Sequence, residues 1–115
     1  MRQRRKYLSK KHTHDILERR MAMFSQRFGR EPVEGEPLIF DHQSETPMSV
    51  DPDRWRQEIV DEMARAGVDP AFIYAFGKTG VFAVEGRTDK LKPGQLEAWD
   101  AAIAEYDRLL EGPRQ

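Results

Sequence analysis

The stretch VDPDRWRQEIVDEMARAGVDPAFIYAFGKTG, Val50 to Gly80, reads as two helices with matching entrances. Each entrance is Val-Asp-Pro: Val50-Asp51-Pro52 and Val68-Asp69-Pro70. An aspartate before a helix accepts hydrogen bonds from the free amides of the first turn. Proline fits the first helical position because its missing N–H would be unpaired there anyway. The valine ahead of each cap can pack on the fourth helical residue, Trp55 or Ile73, as a hydrophobic staple. Gly67 and Gly80 supply left-handed stops. The stretch therefore predicts helices over 52–66 and 70–78. The core face of the first is Trp55, Ile59, Val60 and Met63, and Phe72, Ile73 and Phe76 form that of the second. Tyr74 presents its hydroxyl at the surface.

Outward from this pair, Val81-Phe82-Ala83-Val84 reads as extended through residue 85, followed by a turn region over Gly86 to Lys92. Leu96, Trp99, Ile103, Tyr106 and Leu110 are spaced 3, 4, 3 and 4, which predicts a helix over 93–111 ended by Gly112-Pro113. Its seam is too short for a free-standing coiled coil, so it is expected to pack on the two preceding helices. Residues 29–50 carry Pro32, Pro37, Pro47 and Gly35 and are irregular. Within them Leu38-Ile39-Phe40 is a short apolar run that can pair with Val81–Val84. Leu17, Met21, Phe24 and Phe28 share one face of a helix over 15–28, capped by Thr13 or Asp15 and stopped by Gly29. Arg19, Arg20 and Arg27 fall on the other faces. Residues 1–14 read as a flexible basic arm.

The expected fold is mainly α: a single small domain of about four helices over 15–115, with one short two-stranded pairing possible. The pattern leaves open whether helix 15–28 docks on the body. Detached, its Met/Phe face would be a partner or dimer surface.

The 115 residues suffice for one modest core. There is no cysteine, which removes disulfides, thiolate metal sites and cysteine nucleophiles and fits the cytoplasm. No run is long and apolar enough for a membrane span, and no apolar segment follows the basic start as in a secretory signal. The net charge of −1 hides an asymmetry. Residues 1–30 carry ten Lys/Arg against Asp15 and Glu18, a net of +8 (10 − 2). The remaining residues carry nine against eighteen, a net of −9 (9 − 18). A basic element is thus joined to an acidic body, a pattern that concerns partners more than fold.

Candidate chemistry is sparse. Gly77-Lys78-Thr79 resembles the tail of a phosphate-binding loop, but the first glycine of that motif would be residue 72, which is Phe72. A helix also precedes it where a strand is required. His12, His14 and His42 are the only nitrogen ligands for a metal and are poorly spaced for one helix face. Glu58, Asp61 and Glu62 read as a solvated face of an amphipathic helix. Ser9, Ser25, Ser44 and Ser49 sit in no nucleophile motif. The 52–78 helix pair lacks the polar recognition helix that DNA reading requires. No catalytic residue, cofactor or metal is expected.

The partner-binding candidates are Arg2, Arg4, Arg5, Lys6, Tyr7, Lys10, Lys11, Arg19, Arg20 and Arg27, with Phe24 and Phe28 as apolar anchors. They point to a non-enzymatic interaction or adaptor protein that meets a protein partner, or itself, through its basic N-terminal helix and acidic body. The alternative is an accessory nucleic-acid binder using residues 1–30, with Tyr7 stacking and the cations on phosphates. A membrane partner is disfavoured.

The run D-P-A-F-I-Y-A-F-G-K-T-G (Asp69 to Gly80), with Glu85, Glu97-Ala98-Trp99 and Ala102-Ile103-Ala104-Glu105-Tyr106, resembles a group of small bacterial proteins over the C-terminal half. The resemblance implies a bacterial cytoplasmic origin and brings no activity, site or cofactor with it.

Overall fold

The computed structural model describes residues 6–112. Four helices carry the architecture: α1 (Lys10–Phe28), α2 (Pro52–Ala66), α3 (Pro70–Thr79) and α4 (Gln95–Glu111). At the entrances of α2 and α3 the Asp51 carboxylate accepts from the Arg54 amide at 3.0 Å and that of Asp69 from the Ala71 amide at 2.9 Å. Gly67 and Gly80 close these helices at φ 82° and 73°, a backbone region that side-chain-bearing residues avoid. The fold is mainly α and has no sheet among the described residues. Its strand-type pairings are two isolated bridges, Leu8 with Val84 in parallel and Phe40 with Ser49 antiparallel.

These bridges correct the expected pairing of Leu38–Phe40 with Val81–Val84. The 81–84 segment is occupied by the N-terminal chain instead. The Leu8 amide donates to the Ala83 carbonyl at 2.9 Å, and the Glu85 amide donates to the Leu8 carbonyl at 2.8 Å. Leu8 is fully buried, and Trp99 Nε1 donates to the Lys6 carbonyl at 3.0 Å. Residues 6–14 are therefore not a flexible arm: residues 6–9 lie on the core and 10–14 are helical. Anchoring Leu8 holds Ser9 extended, and its hydroxyl accepts from the His12 amide at 3.1 Å. Ser9 caps α1, not Thr13 or Asp15, and the helix starts at Lys10. Arg2, Arg4 and Arg5 lie outside the described residues.

The main core gathers Leu8, Ile16, Met63, Phe72, Phe76, Val81 and Trp99 between α2, α3 and α4. A second aromatic cluster, Phe24, Phe28 and Phe40, pins the 38–40 run under α1, with Phe24–Phe40 and Phe28–Phe40 centroids 5.8 and 5.1 Å apart. Helix α1 docks on a face turned from the expected one, keeping Phe24 and half-buried Phe28 but not Leu17 and Met21. Ile16, Arg20 and Phe24 are buried, whereas Leu17 and Met21 are 46% and 37% exposed. Trp55, expected in the core, is 41% exposed although its ring lies 5.9 Å from that of Phe76. Leu110 is also exposed rather than buried. The reason is length: α3 has 10 residues and α4 has 17, so at about 1.5 Å per residue α4 outruns its partner. Leu109 and Leu110 remain uncovered.

Candidate functional site

The inward face of α1 places a guanidinium where an apolar side chain was expected. Arg20 is 4% exposed, so its charge needs partners. They come from α2, where Glu58 and Glu62 are one helical turn apart and point at α1. Arg20 Nη1 donates to Glu62 Oε1 at 3.2 Å, Nη2 lies 3.8 Å from Glu58 Oε2, and Nε donates to the Leu38 carbonyl at 3.3 Å. Arg19 Nε and Arg65 Nη1 reach the same Glu62 oxygen at 3.0 and 3.4 Å. Glu62 is only 1% exposed. The solvated-face reading of Glu58, Asp61 and Glu62 is thus corrected: Asp61 alone is exposed, accepting from Gln57 at 3.0 Å. Arg20 Nη2, Glu58 Oε2 and Glu62 Oε2 are buried without a hydrogen-bond partner among the described residues. Displacing α1 along α2 would unpair these charges, so the cluster fixes the seat of one helix on the other.

Seated in this way, α1 forms one wall of an apolar cleft of about 540 Å³. Ile16 and Leu17 face Leu38, Ile39, Trp55, Ile59, Phe76 and Phe82 across it. Its polar lining is confined to Thr13, Arg20 and Ser49, and no acid lines it. Half-exposed Leu17 and Trp55 leave it open to solvent. The size and apolar lining are those of a binding cleft.

Thr13 and Leu17 also line a neighbouring polar cleft of about 720 Å³, with Lys10, His14, Arg87, Asp89 and Lys90. Gly86 also lines it. A β-carbon there would come within 2.9 Å of Lys10 Cε, and its φ of +81° also favours glycine. The aliphatic stem of Lys10 thereby lies against the backbone. An apolar cleft and a cationic shelf thus meet along one edge of α1.

The residues expected to bind a partner have diverse surroundings. Arg20 and Phe24 are buried: Arg20 is held by Glu62 and adds only to the wall of the apolar cleft, and Phe24 packs in the aromatic cluster. Phe28 is half-buried in that cluster, 4.8 Å from Phe24. Arg19 is engaged with Glu62. Arg27 donates to the His42 and Ser44 carbonyls at 3.3 and 2.6 Å. Lys11 pairs with Asp15 at 2.9 Å. Tyr7 is half-buried against the core, with Lys6 Nζ 5.9 Å from its ring centroid. Of the described candidates, Lys10 alone lines the shelf. Leu17, Trp55, Phe82, Arg87 and Lys90 were missed as site residues, because the chain segments that build the two clefts meet only in the tertiary fold.

No group of three His, Cys, Asp or Glu side chains among the described residues could hold a metal. The Gly77-Lys78-Thr79 run ends a helix. Lys78 and the Tyr74 hydroxyl both donate to Glu105. The Lys78 and Tyr74 hydrogen bonds hold the Glu105 carboxyl below its ordinary range, and the same carboxylate raises both Lys78 and Tyr74. On the loop, Arg30 forks onto Glu36 at 2.7 Å through both nitrogens. With a further hydrogen bond from the Val33 amide, this lowers the Glu36 carboxyl to about 2.

No helix among the described residues is long and apolar enough to cross a membrane. Comparison with protein-family models, curated proteins and solved structures returned no match.

Proposed function

We propose that this chain is a non-enzymatic interaction protein that takes an apolar element of a protein partner into the cleft between α1, residues 37–39 and Trp55. The observation carrying the reading is the open, acid-free apolar cleft beside a cationic shelf. An apolar anchor seated in a groove and surrounded by polar contacts is the usual layout of a protein-binding hot spot. The alternative, nucleic-acid contact through residues 1–30, has less support. Arg19, Arg20 and Arg27 are engaged internally and Tyr7 packs on the core.

A photo-crosslinking residue at Trp55, with a second placed at exposed Arg54 as control, tests the reading in cells. The expected result is a discrete protein adduct at 55 that resists nuclease and salt and is lost on Leu17→Asp. An adduct to nucleic acid at 55, or protein adducts equal at 54 and 55, would refute it. Phosphate-driven binding falls steeply with salt, whereas apolar docking does not.

A further inference from the structure

The apolar cleft and the cationic shelf are two ends of one trough, because the same two pieces of chain wall both. On α1, Thr13 and Leu17 line both ends, with Ile16 toward the cleft and Lys10 toward the shelf. The segment after α3 runs alongside: Gly80 and Phe82 line the cleft, and Val84, Gly86 and Arg87 line the shelf. The lining changes once along this course, from apolar to charged.

The positive charge of the shelf is uncommitted. Lys10, Arg87 and Lys90 are exposed and pair with no described acid. The acids of α1 are taken, Asp15 by Lys11 at 2.9 Å and Glu18 by His14 at 3.1 Å. Among the described residues Asp89 alone opposes the three cations at the shelf, a net of +2 (3 − 1), and Glu85 does not line it. The first turn of α1 carries no acid, although the helix dipole favours negative charge there. With its stem against the Gly86 backbone, Lys10 has little further freedom to lose on meeting an anion.

We infer that the trough binds a single-chain anionic amphiphile. Its carboxylate or phosphate head sits on Lys10, Arg87 and Lys90, and its alkyl chain lies in the cleft between Leu17, Trp55, Ile59 and Phe82. The shelf alone suits any small anion, and the cleft alone any apolar group. Their continuity selects a ligand that has both parts. The binding goes beyond the interaction reading and does not depend on it. One consequence does rest on that reading: the alkyl chain takes the place of the partner's apolar element, so ligand and protein partner exclude each other.

The test is isothermal titration of the full chain with straight-chain carboxylates from octanoate to tetradecanoate, kept below micelle formation. Decanol and inorganic phosphate serve as probes of one part each. Affinity is expected to rise about 4-fold per added methylene and to level off as the cleft fills. Decanol, lacking the charged head, should bind about 10-fold more weakly than decanoate. In a Lys10→Gln, Arg87→Gln variant that difference should vanish. Leu17→Asp should weaken decanoate binding by about 10-fold. These positions are exposed, and unchanged thermal melts show that the variants remain folded. Wild type that binds no carboxylate, affinity indifferent to chain length, or decanol or phosphate binding as tightly as decanoate would overturn the inference. A protein adduct at 55 from a chain that binds no carboxylate removes this inference and leaves the interaction reading standing. Carboxylate binding without a protein adduct at 55 does the reverse. Where both hold, decanoate added to lysate before irradiation should lower the adduct yield, and an unchanged yield would refute the exclusion.

Discussion

Replacing Glu62 with leucine isolates the energetics of the seat between α1 and α2. The substitution removes the carboxylate that accepts from Arg19, Arg20 and Arg65 at 3.0, 3.2 and 3.4 Å. Arg19 and Arg65 are 47% and 59% exposed and turn to water at little cost. Arg20 cannot: its side chain is 5% exposed, and it would keep only Glu58 at 3.8 Å and the Leu38 carbonyl at 3.3 Å. Orphaning a buried charge costs about 3–5 kcal/mol. At roughly 4 °C per kcal/mol for a domain of this size, the melting temperature should fall by about 12–20 °C. Arg20→Met is the milder change, because Glu62 keeps Arg19 and Arg65; its expected cost is about 1–3 kcal/mol. The double variant removes both buried charges, so its cost should fall short of the sum of the singles by about 2 kcal/mol. Urea denaturation followed by circular dichroism and by tryptophan fluorescence gives all three values. A Glu62→Leu cost below about 1 kcal/mol, or a coupling below about 0.5 kcal/mol, would refute the argument that these charges are a buried, mutually dependent cluster.

Other expectations concern separate parts of the molecule. Phe24→Ala empties the centre of the aromatic cluster and should cost about 3–5 kcal/mol in the same denaturation assay, a loss under 1 kcal/mol showing that the loop is not held there. The Glu36 carboxyl should titrate near 2 rather than 4.5 by carbon-detected NMR. Because its folded value is depressed, its contribution is present above pH 4.5 and is lost as pH falls through about 2, so Glu36→Gln should be less stable than wild type at neutral pH and indistinguishable below pH 2. Gly86→Ala forces a β-carbon into left-handed backbone against Lys10, with an expected loss of about 1–2 kcal/mol; an unchanged melting temperature would show that the turn adopts another conformation.

The mainly α architecture was legible because its signals are local. Asp51-Pro52 and Asp69-Pro70 open α2 and α3, and Gly67 and Gly80 end them, each through backbone chemistry contained within a few residues. The seat of α1 was not legible by the same means. Apolar periodicity favours Leu17 and Met21 as the inward face, and a buried arginine becomes acceptable only when its partners are known. Those partners, Glu58 and Glu62, lie in another helix. A signal was nevertheless present: Ile16, Arg20 and Phe24 repeat every four residues, and so do Glu58 and Glu62, with opposite charge. Leu110 was misplaced for a different reason. Its heptad-like spacing continues the seam correctly, but a seam cannot report that α3 is too short to cover it. Ser9 was overlooked as a cap because its role depends on Leu8 being buried, which is a tertiary event. The two clefts have no contiguous signature at all, since α1, the 37–39 loop, α2 and the segment after α3 each contribute part of a wall.

The bridge between Leu8 and Val84, and the Trp99–Lys6 bond whose partners are 93 residues apart, bear on how the chain is made. Residues 6–9 leave the ribosome well before the segments that seat them. Their seat on the 81–85 segment does not exist until that segment has emerged, and the indole that secures it arrives later still. A nascent chain halted before Trp99 has Leu8 without a complete pocket, and α1 without the anchored cap that sets its start. Contacts of such long range slow folding, because the ends must meet before any reward is returned. The anchor ahead of α1 is completed by the indole of α4, so synthesis through Trp99 precedes the native placement of α1.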